Sequence, residues 1–99
     1  MLVLIYDINV KNRNNLEIIA LILEIARGKK ATQIRIMYKA YLSYVQLKEY
    51  LSQLLENGLI TYQEGERTYS TTEKGMHFLR IYHQISEAFV TTKSSIPAG

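Results

Sequence analysis

Apolar and polar positions divide the chain into short stretches of distinct periodicity. Leu2 to Ile8 is an almost unbroken aliphatic and aromatic run in which Asp7 is the sole charge. Its length and its Val and Ile content predict a strand covered on both faces. The asparagine-rich stretch Asn9 to Asn15 supplies turn and cap residues. Asn14 or Asn15 then caps a first helix running to about Arg27, with Glu17 near its positive end and Gly28 as its stop. Leu16, Ile18, Ile19, Leu21, Ile22, Leu23 and Ile25 leave only Glu17 and Glu24 as a polar stripe. Such a helix needs cover on several sides, and a second subunit is expected to supply part of it.

Thr32 is placed to cap a short second helix from Gln33 to Lys39. After Ala40-Tyr41-Leu42, Ser43 caps a third helix that reaches Asn57 and stops at Gly58. On a helical wheel Tyr44, Leu47, Leu51, Leu54 and Leu55 share one apolar arc, while Val45, Gln46, Glu49, Ser52 and Gln53 point the other way. Leu59 to Gln63 alternates in strand fashion, Glu64-Gly65-Glu66 turns, and Arg67 to Thr71 returns as the second arm of a hairpin. Thr71 or Thr72 caps a fourth helix from Glu73 to about Thr92, and Ser94 to Gly99, with the sole proline, reads as a loose tail.

Strand, three helices, hairpin, helix is the plan of an α+β, mostly α, winged helix-turn-helix domain. The expected organisation is a strand extension over 1–12, the winged helix-turn-helix over 13–72, a C-terminal dimerisation helix over 73–93 and a flexible tail over 94–99. In that plan the leucine arc anchors the third helix, whose other face is free to enter a major groove about 12 Å wide.

Charge sharpens the picture. The chain has 99 residues and a net charge of +3, but residues 11–48 alone carry +6, against −1 before them and −2 after. A basic front half suits one face meeting a polyanion, although a solvated, charge-mixed surface would produce the same count. The absence of cysteine excludes disulfides, thiolate chemistry and Cys-ligated metals, and fits an intracellular chain. The opening apolar run is too short for a secretory signal, and no apolar run approaches the roughly 20 residues of a membrane span.

Catalysis finds no footing. His77 and His83 are about 120° apart on the helical wheel and make a poor ligand pair. Asp7 is the lone aspartate, and Gly65 and Gly75 stand outside any phosphate-loop pattern. No metal, cofactor, small-molecule substrate or membrane partner is expected, and the chain is read as a non-enzyme.

Double-stranded DNA is the expected partner. Lys29, Lys30, Thr32, Gln33 and Arg35 surround the start of the second helix, where free N–H groups favour phosphate. Lys39 and Lys48 lie near the turn and on the flank of the third helix; all these cations suit backbone positioning more than base reading. The outer side of the third helix offers Ser43, Val45, Gln46, Glu49 and Gln53. Gln46 suits adenine and Val45 a thymine methyl, whereas Glu49 repels phosphate and no arginine is present to read guanine. The hairpin adds Arg67 and Thr68 behind two glutamates at its tip. The tyrosines at 38, 41, 44, 50, 62, 69 and 82 suit base stacking or, more commonly, core packing.

Three blocks, Arg35-Ile-Met-Tyr-Lys-Ala-Tyr-Leu-Ser-Tyr-Val-Gln-Leu-Lys-Glu-Tyr-Leu, Leu54-Leu-Glu-Asn-Gly-Leu-Ile and Thr72-Glu-Lys-Gly-Met-His-Phe-Leu, occur in order. Over about Leu16 to Tyr82 they make the chain resemble the archaeal winged-helix family of ten-kilodalton chromatin proteins from Sulfolobus. The resemblance implies a basic, nucleoid-associated, cytoplasmic homodimer joined by an antiparallel coiled coil of its last helices. It also implies low sequence specificity, in an architectural role that compacts or bridges DNA. A sequence-specific transcriptional regulator and a winged helix that assembles proteins are the alternatives. Two features depart from the family pattern: the Leu2–Ile8 segment, and a last helix that spans only about 30 Å if it ends at Thr92. Phe78, Tyr82, Ile85 and Phe89 follow the 4-3-4 spacing of a coiled-coil seam, flanked by Leu79, Ile81 and Ala88, or else close the monomer's own core. Leu2–Ile8 has two candidate pairings, with the hairpin or with the partner subunit.

Overall fold

The computed structural model describes residues 14–98, with side chains through Ala88, so the 1–12 extension and its Leu2–Ile8 strand lie outside the described residues. In chain order the elements are α1 (Asn15–Ile25), β1 (Ala31–Thr32), α2 (Gln33–Ala40), α3 (Tyr44–Glu56), β2 (Ile60–Gln63), β3 (Thr68–Thr71) and α4 (Glu73–Ala98). Local chemistry starts each helix. Asn14 caps α1 in a reciprocal box: its side chain accepts from the Glu17 N–H at 2.7 Å, and the Glu17 carboxylate accepts from the Asn14 N–H at 3.1 Å. Thr32 caps α2, Ser43 caps α3, and Thr72 accepts from the Gly75 N–H at 3.1 Å to cap α4. Gly28 and Gly58, at φ +69° and +73°, sit in the left-handed turns beyond α1 and α3.

The sheet is antiparallel in the order β1-β3-β2. Its third strand is Ala31–Thr32, paired with Tyr69 and Thr68. Two residues are too short to show a period, which is why the sequence pattern suggested a hairpin alone. The outer edge of β3 is therefore filled by β1. In the hairpin Gln63 faces Thr68 and Tyr62 faces Tyr69, so Arg67 belongs to the turn rather than to the returning strand.

Each helix and two of the strands contribute to one core, with Ile22, Leu23, Ile36, Leu47, Leu54, Ile60 and Leu79 fully buried. The nearly all-apolar α1 runs through the middle, packed against α2, α4 and β3. The cover expected from a second subunit is thus supplied within the chain, and Leu16 is its one large apolar side chain left exposed. The α3 arc is narrower than its sequence suggests: Leu47, Leu51 and Leu54 are buried, but Tyr44 and Leu55 are exposed. Helix α4 also corrects the expectation of a short last helix and a loose tail. Nothing between Thr91 and Ile96 breaks a helix, and the backbone stays helical through Ala98, about 39 Å for its 26 residues at 1.5 Å each.

Helix ends leave carbonyls without partners, and here the last residue of β3 and those that follow it supply them. The Thr71 hydroxyl donates to the Leu23 carbonyl at 2.6 Å and its N–H to the Ala26 carbonyl at 3.2 Å, closing the end of α1. The Thr72 hydroxyl donates to the Gly58 carbonyl at 2.6 Å, its N–H to the Leu59 carbonyl at 3.0 Å, and the Lys74 ammonium to the Asn57 carbonyl at 2.8 Å, closing the end of α3. Gly75 is buried there, and a Cβ on it would collide with the Leu59 carbonyl and lie 2.6 Å from the Thr71 methyl. Gly75→Ala is therefore expected to destabilise the fold by about 2 kcal/mol, despite alanine's better helix propensity. Urea denaturation checks this; a variant as stable as the parent would mean that α4 does not need this close approach.

Candidate nucleic-acid interface

The α2–turn–α3 unit is built so that its caps consume several candidate contacts. The Thr32 hydroxyl accepts from the Arg35 N–H at 3.2 Å and the Ser43 hydroxyl from the Gln46 N–H at 3.2 Å. The Gln46 side-chain oxygen in turn accepts from the Ser43 N–H at 3.1 Å. Gln46 thus takes part in the capping box of α3 through the same oxygen that two-point bonding to adenine would use. Between the helices Tyr41 holds a left-handed backbone at φ +55° and ends α2.

Helix α3 presents a crest and two flanks, with Glu49 at the border of the crest and one flank. Its crest carries Val45, Glu49, Ser52 and Glu56, all exposed and without a cation. One flank carries Tyr44 and Lys48, whose ammonium lies 5.7 Å from the Tyr44 ring centroid. On the opposite flank Gln46, Glu49 and Gln53 meet Asn15 and Tyr50 around a polar recess, where the Tyr50 hydroxyl donates to the Asn15 side chain at 2.7 Å. The expected α3 set is therefore divided between two sides of the helix.

The cations differ in freedom. Arg35 and Lys39 occupy one exposed side of α2, and Lys29 is exposed in the lead-in. Lys30 is held by Glu66 of the hairpin turn at 2.8 Å, which ties that lead-in to the wing. The hydrogen bond and charge of Lys30 hold the Glu66 carboxyl below its ordinary value. Lys29, Arg35, Lys39, Lys48 and Arg67 form no ion pair with another described residue. Arg67 adopts φ +56° in the turn. Thr68, expected to touch DNA, is only 9% exposed: it pairs with β1 on one side and β2 on the other, and its hydroxyl donates to Glu66. It is withdrawn from the surface.

A groove of about 420 Å³ beside the wing brings Thr32, Gln33 and Arg67 together with Tyr44, Tyr62 and Tyr69. The Tyr62 and Tyr69 rings are 4.8 Å apart, centroid to centroid. Burial, and then the neighbouring Tyr62 and Tyr44 hydroxyls, push the Tyr69 hydroxyl above its ordinary value, so it stays protonated at neutral pH. The sequence pattern missed this groove. Placing Arg67 in a four-residue turn would have set Tyr62 opposite Tyr69 and revealed it.

On α4, Leu79 is buried and Phe78 and Tyr82 pack partly against the chain's own core, whereas Ile81 and Ile85 are exposed. The expected seam is thus split, and its Phe89 side chain lies outside the described residues. His83 faces Glu24 of α1 at 3.6 Å, away from His77. No group of three or more potential metal ligands and no helix long and apolar enough to cross a membrane occurs among the described residues.

Comparison with known proteins gives two findings. A family model described as winged helix-turn-helix matches residues 12–89. Sso10a-2, a DNA-binding protein from Sulfolobus solfataricus, is similar in structure with a TM-score of 0.67 at 28% sequence identity, over 87% of this chain and 95% of that one. No functionally curated protein matches.

The Lys30–Glu66 tether has a defined pH response. A lowered carboxyl value means that the contact is complete above the ordinary value of 4.5 and is lost as pH falls through the depressed one. A carboxyl carbon NMR titration is expected to place the Glu66 midpoint below 4.5, and Lys30→Ala to return it there. An unchanged midpoint in the variant would mean that the contact does not persist in solution.

Proposed function

We propose that this chain, which belongs to the winged helix-turn-helix family, binds double-stranded DNA as a homodimer with low sequence specificity, in an architectural role. The carrying observation is the exposed helix-turn-helix together with the exposed cations Lys29, Arg35, Lys39, Lys48 and Arg67, none of which forms an ion pair among the described residues. These cations suit phosphates, where each contact releases a counterion and gains affinity at low salt. Low specificity is supported by the crest of α3, whose Val45, Glu49 and Ser52 offer few base-edge donors. The likeness to Sso10a-2, described as DNA-binding, supports the same reading.

A second reading, a winged helix that assembles proteins, is favoured by one feature: Ile34, Tyr38, Tyr41 and Val45 are exposed on the helix-turn-helix itself. The salt dependence of duplex binding separates the two. Fluorescence anisotropy on a random duplex is expected to give a steep log–log salt slope. The triple variant Lys29→Ala, Arg35→Ala, Lys39→Ala should flatten it by up to about three, at roughly 0.9 per phosphate contact. An unchanged slope would remove these residues from the interface, and no binding at low salt would favour the assembly module.

For the homodimer, the support is the length of α4 and the exposed Ile81 and Ile85, one turn apart. Ile85 is 65% exposed, so Ile85→Glu leaves the core intact. Light scattering is expected to show two chains for the parent and one for the variant, with an unchanged circular dichroism spectrum. A variant that stays at two chains would place the seam elsewhere.

A further inference from the structure

The groove between α2, the start of α3 and the wing offers a fully paired duplex little beyond the Arg67 cation in its lining. Stacked bases present only their edges in the grooves of a duplex, whereas this cleft is lined by three tyrosine rings, Tyr44, Tyr62 and Tyr69. Tyr44 and Tyr62 are both exposed at its mouth, with Met37 and Tyr69 partly buried behind them. Its volume of about 420 Å³ is within the range of sites that take a small planar ligand. Its polar groups are few: Thr32, Gln33 and the tyrosine hydroxyls around the rings, with the Arg67 guanidinium as the only charged lining group. No carboxylate lines the groove, and Glu66, next to Arg67, is occupied by Lys30. A second cation, Lys48, stands over the Tyr44 ring.

An aromatic wall with cations at its edge and no anion inside matches a ligand that is planar, rich in hydrogen-bonding edges and attached to phosphate. We propose that this groove seats a single unpaired nucleobase, so that the protein prefers DNA carrying an unpaired base over a fully paired duplex. The base lies against the exposed rings of Tyr44 and Tyr62. Gln33 meets its Watson–Crick edge, which is free because the base has no partner, and Arg67 meets the adjoining phosphate. Base–aromatic stacking depends little on base identity, which agrees with a protein that discriminates weakly between sequences. This inference rests on the DNA-binding reading and concerns which DNA the same face prefers.

The test uses the full chain and two duplexes of about 20 base pairs that differ in one feature. One carries 2-aminopurine as a single-base bulge, and the other carries it paired with thymine. The bulged duplex is expected to bind at least about fivefold more tightly by anisotropy, the low end of one stacked base. The bulged 2-aminopurine should also lose emission on binding, as its ring stacks. Tyr62→Leu keeps an apolar side chain on the sheet but removes the ring. Alone or with Tyr44→Leu, it should abolish both the preference and the quenching while leaving paired-duplex affinity within about twofold. Arg67→Gly supplies a variant that the turn accepts, because glycine takes positive φ readily, and it should reduce the preference through loss of the phosphate contact.

Equal affinity for the two duplexes overturns the proposal. So does a preference that survives both tyrosine substitutions, since it would then reflect the easier bending of bulged DNA. Failure to bind either duplex overturns the DNA reading itself, which keeps the two failures distinct.

Discussion

Two consecutive threonines hold the molecule together. Through Thr71 and Thr72 the end of β3 reaches the last carbonyls of α1 and α3 and then starts α4, so four elements meet within a few ångströms. Each of the threonine–carbonyl bonds made there gives a partner to a backbone carbonyl at or just beyond the end of α1 or α3. The absence of a side chain at Gly75 makes the approach possible. The wing, the central helix and the long last helix are therefore fixed relative to one another by main-chain chemistry as well as by apolar packing. The candidate interface inherits its geometry from that junction.

The interface divides its tasks between elements. α2 and its lead-in provide cations, α3 provides an exposed but nearly neutral rod, and the wing provides aromatic rings with one guanidinium. A rod whose crest bears Glu49 and Glu56 gains little from phosphate, so the attraction comes from its surroundings. That division suits a protein that uses charge for affinity and spends few polar atoms on reading sequence. The Lys30–Glu66 pair has the opposite effect: it engages one cation of the proposed phosphate-binding set and ties α2's lead-in to the wing.

Much of this was legible in the sequence because helix caps are local signals. Asn14 with Glu17, Thr32, and Ser43 with Gln46 each announce a helix within four residues, and the leucines of α3 announce its buried face. The hairpin followed from alternation around Glu64-Gly65-Glu66. What escaped depends on residues far apart in the chain. β1 has two residues and becomes a strand only because β3 is beside it. The contact of Gly75 with Leu59 joins elements that share no pattern, and the tyrosine groove draws on α3, β2 and β3 together. Side-chain chemistry alone points Gln46 to adenine and does not reveal that the same oxygen also takes part in the cap of α3. The end of α4 was drawn too early because threonines, serines and a terminal proline resemble a tail, although none of them breaks a helix before Ile96.

One residue, Thr72, separates the last strand from the long helix. That leaves no hinge between them. A tilt of the rod formed by α4 at its first turn is therefore passed to the hairpin, as a handle turns the blade fixed to it. Mechanical coupling of this kind requires neither a conformational switch nor a bound effector. It makes the orientation of the wing a direct report of whatever holds the rod.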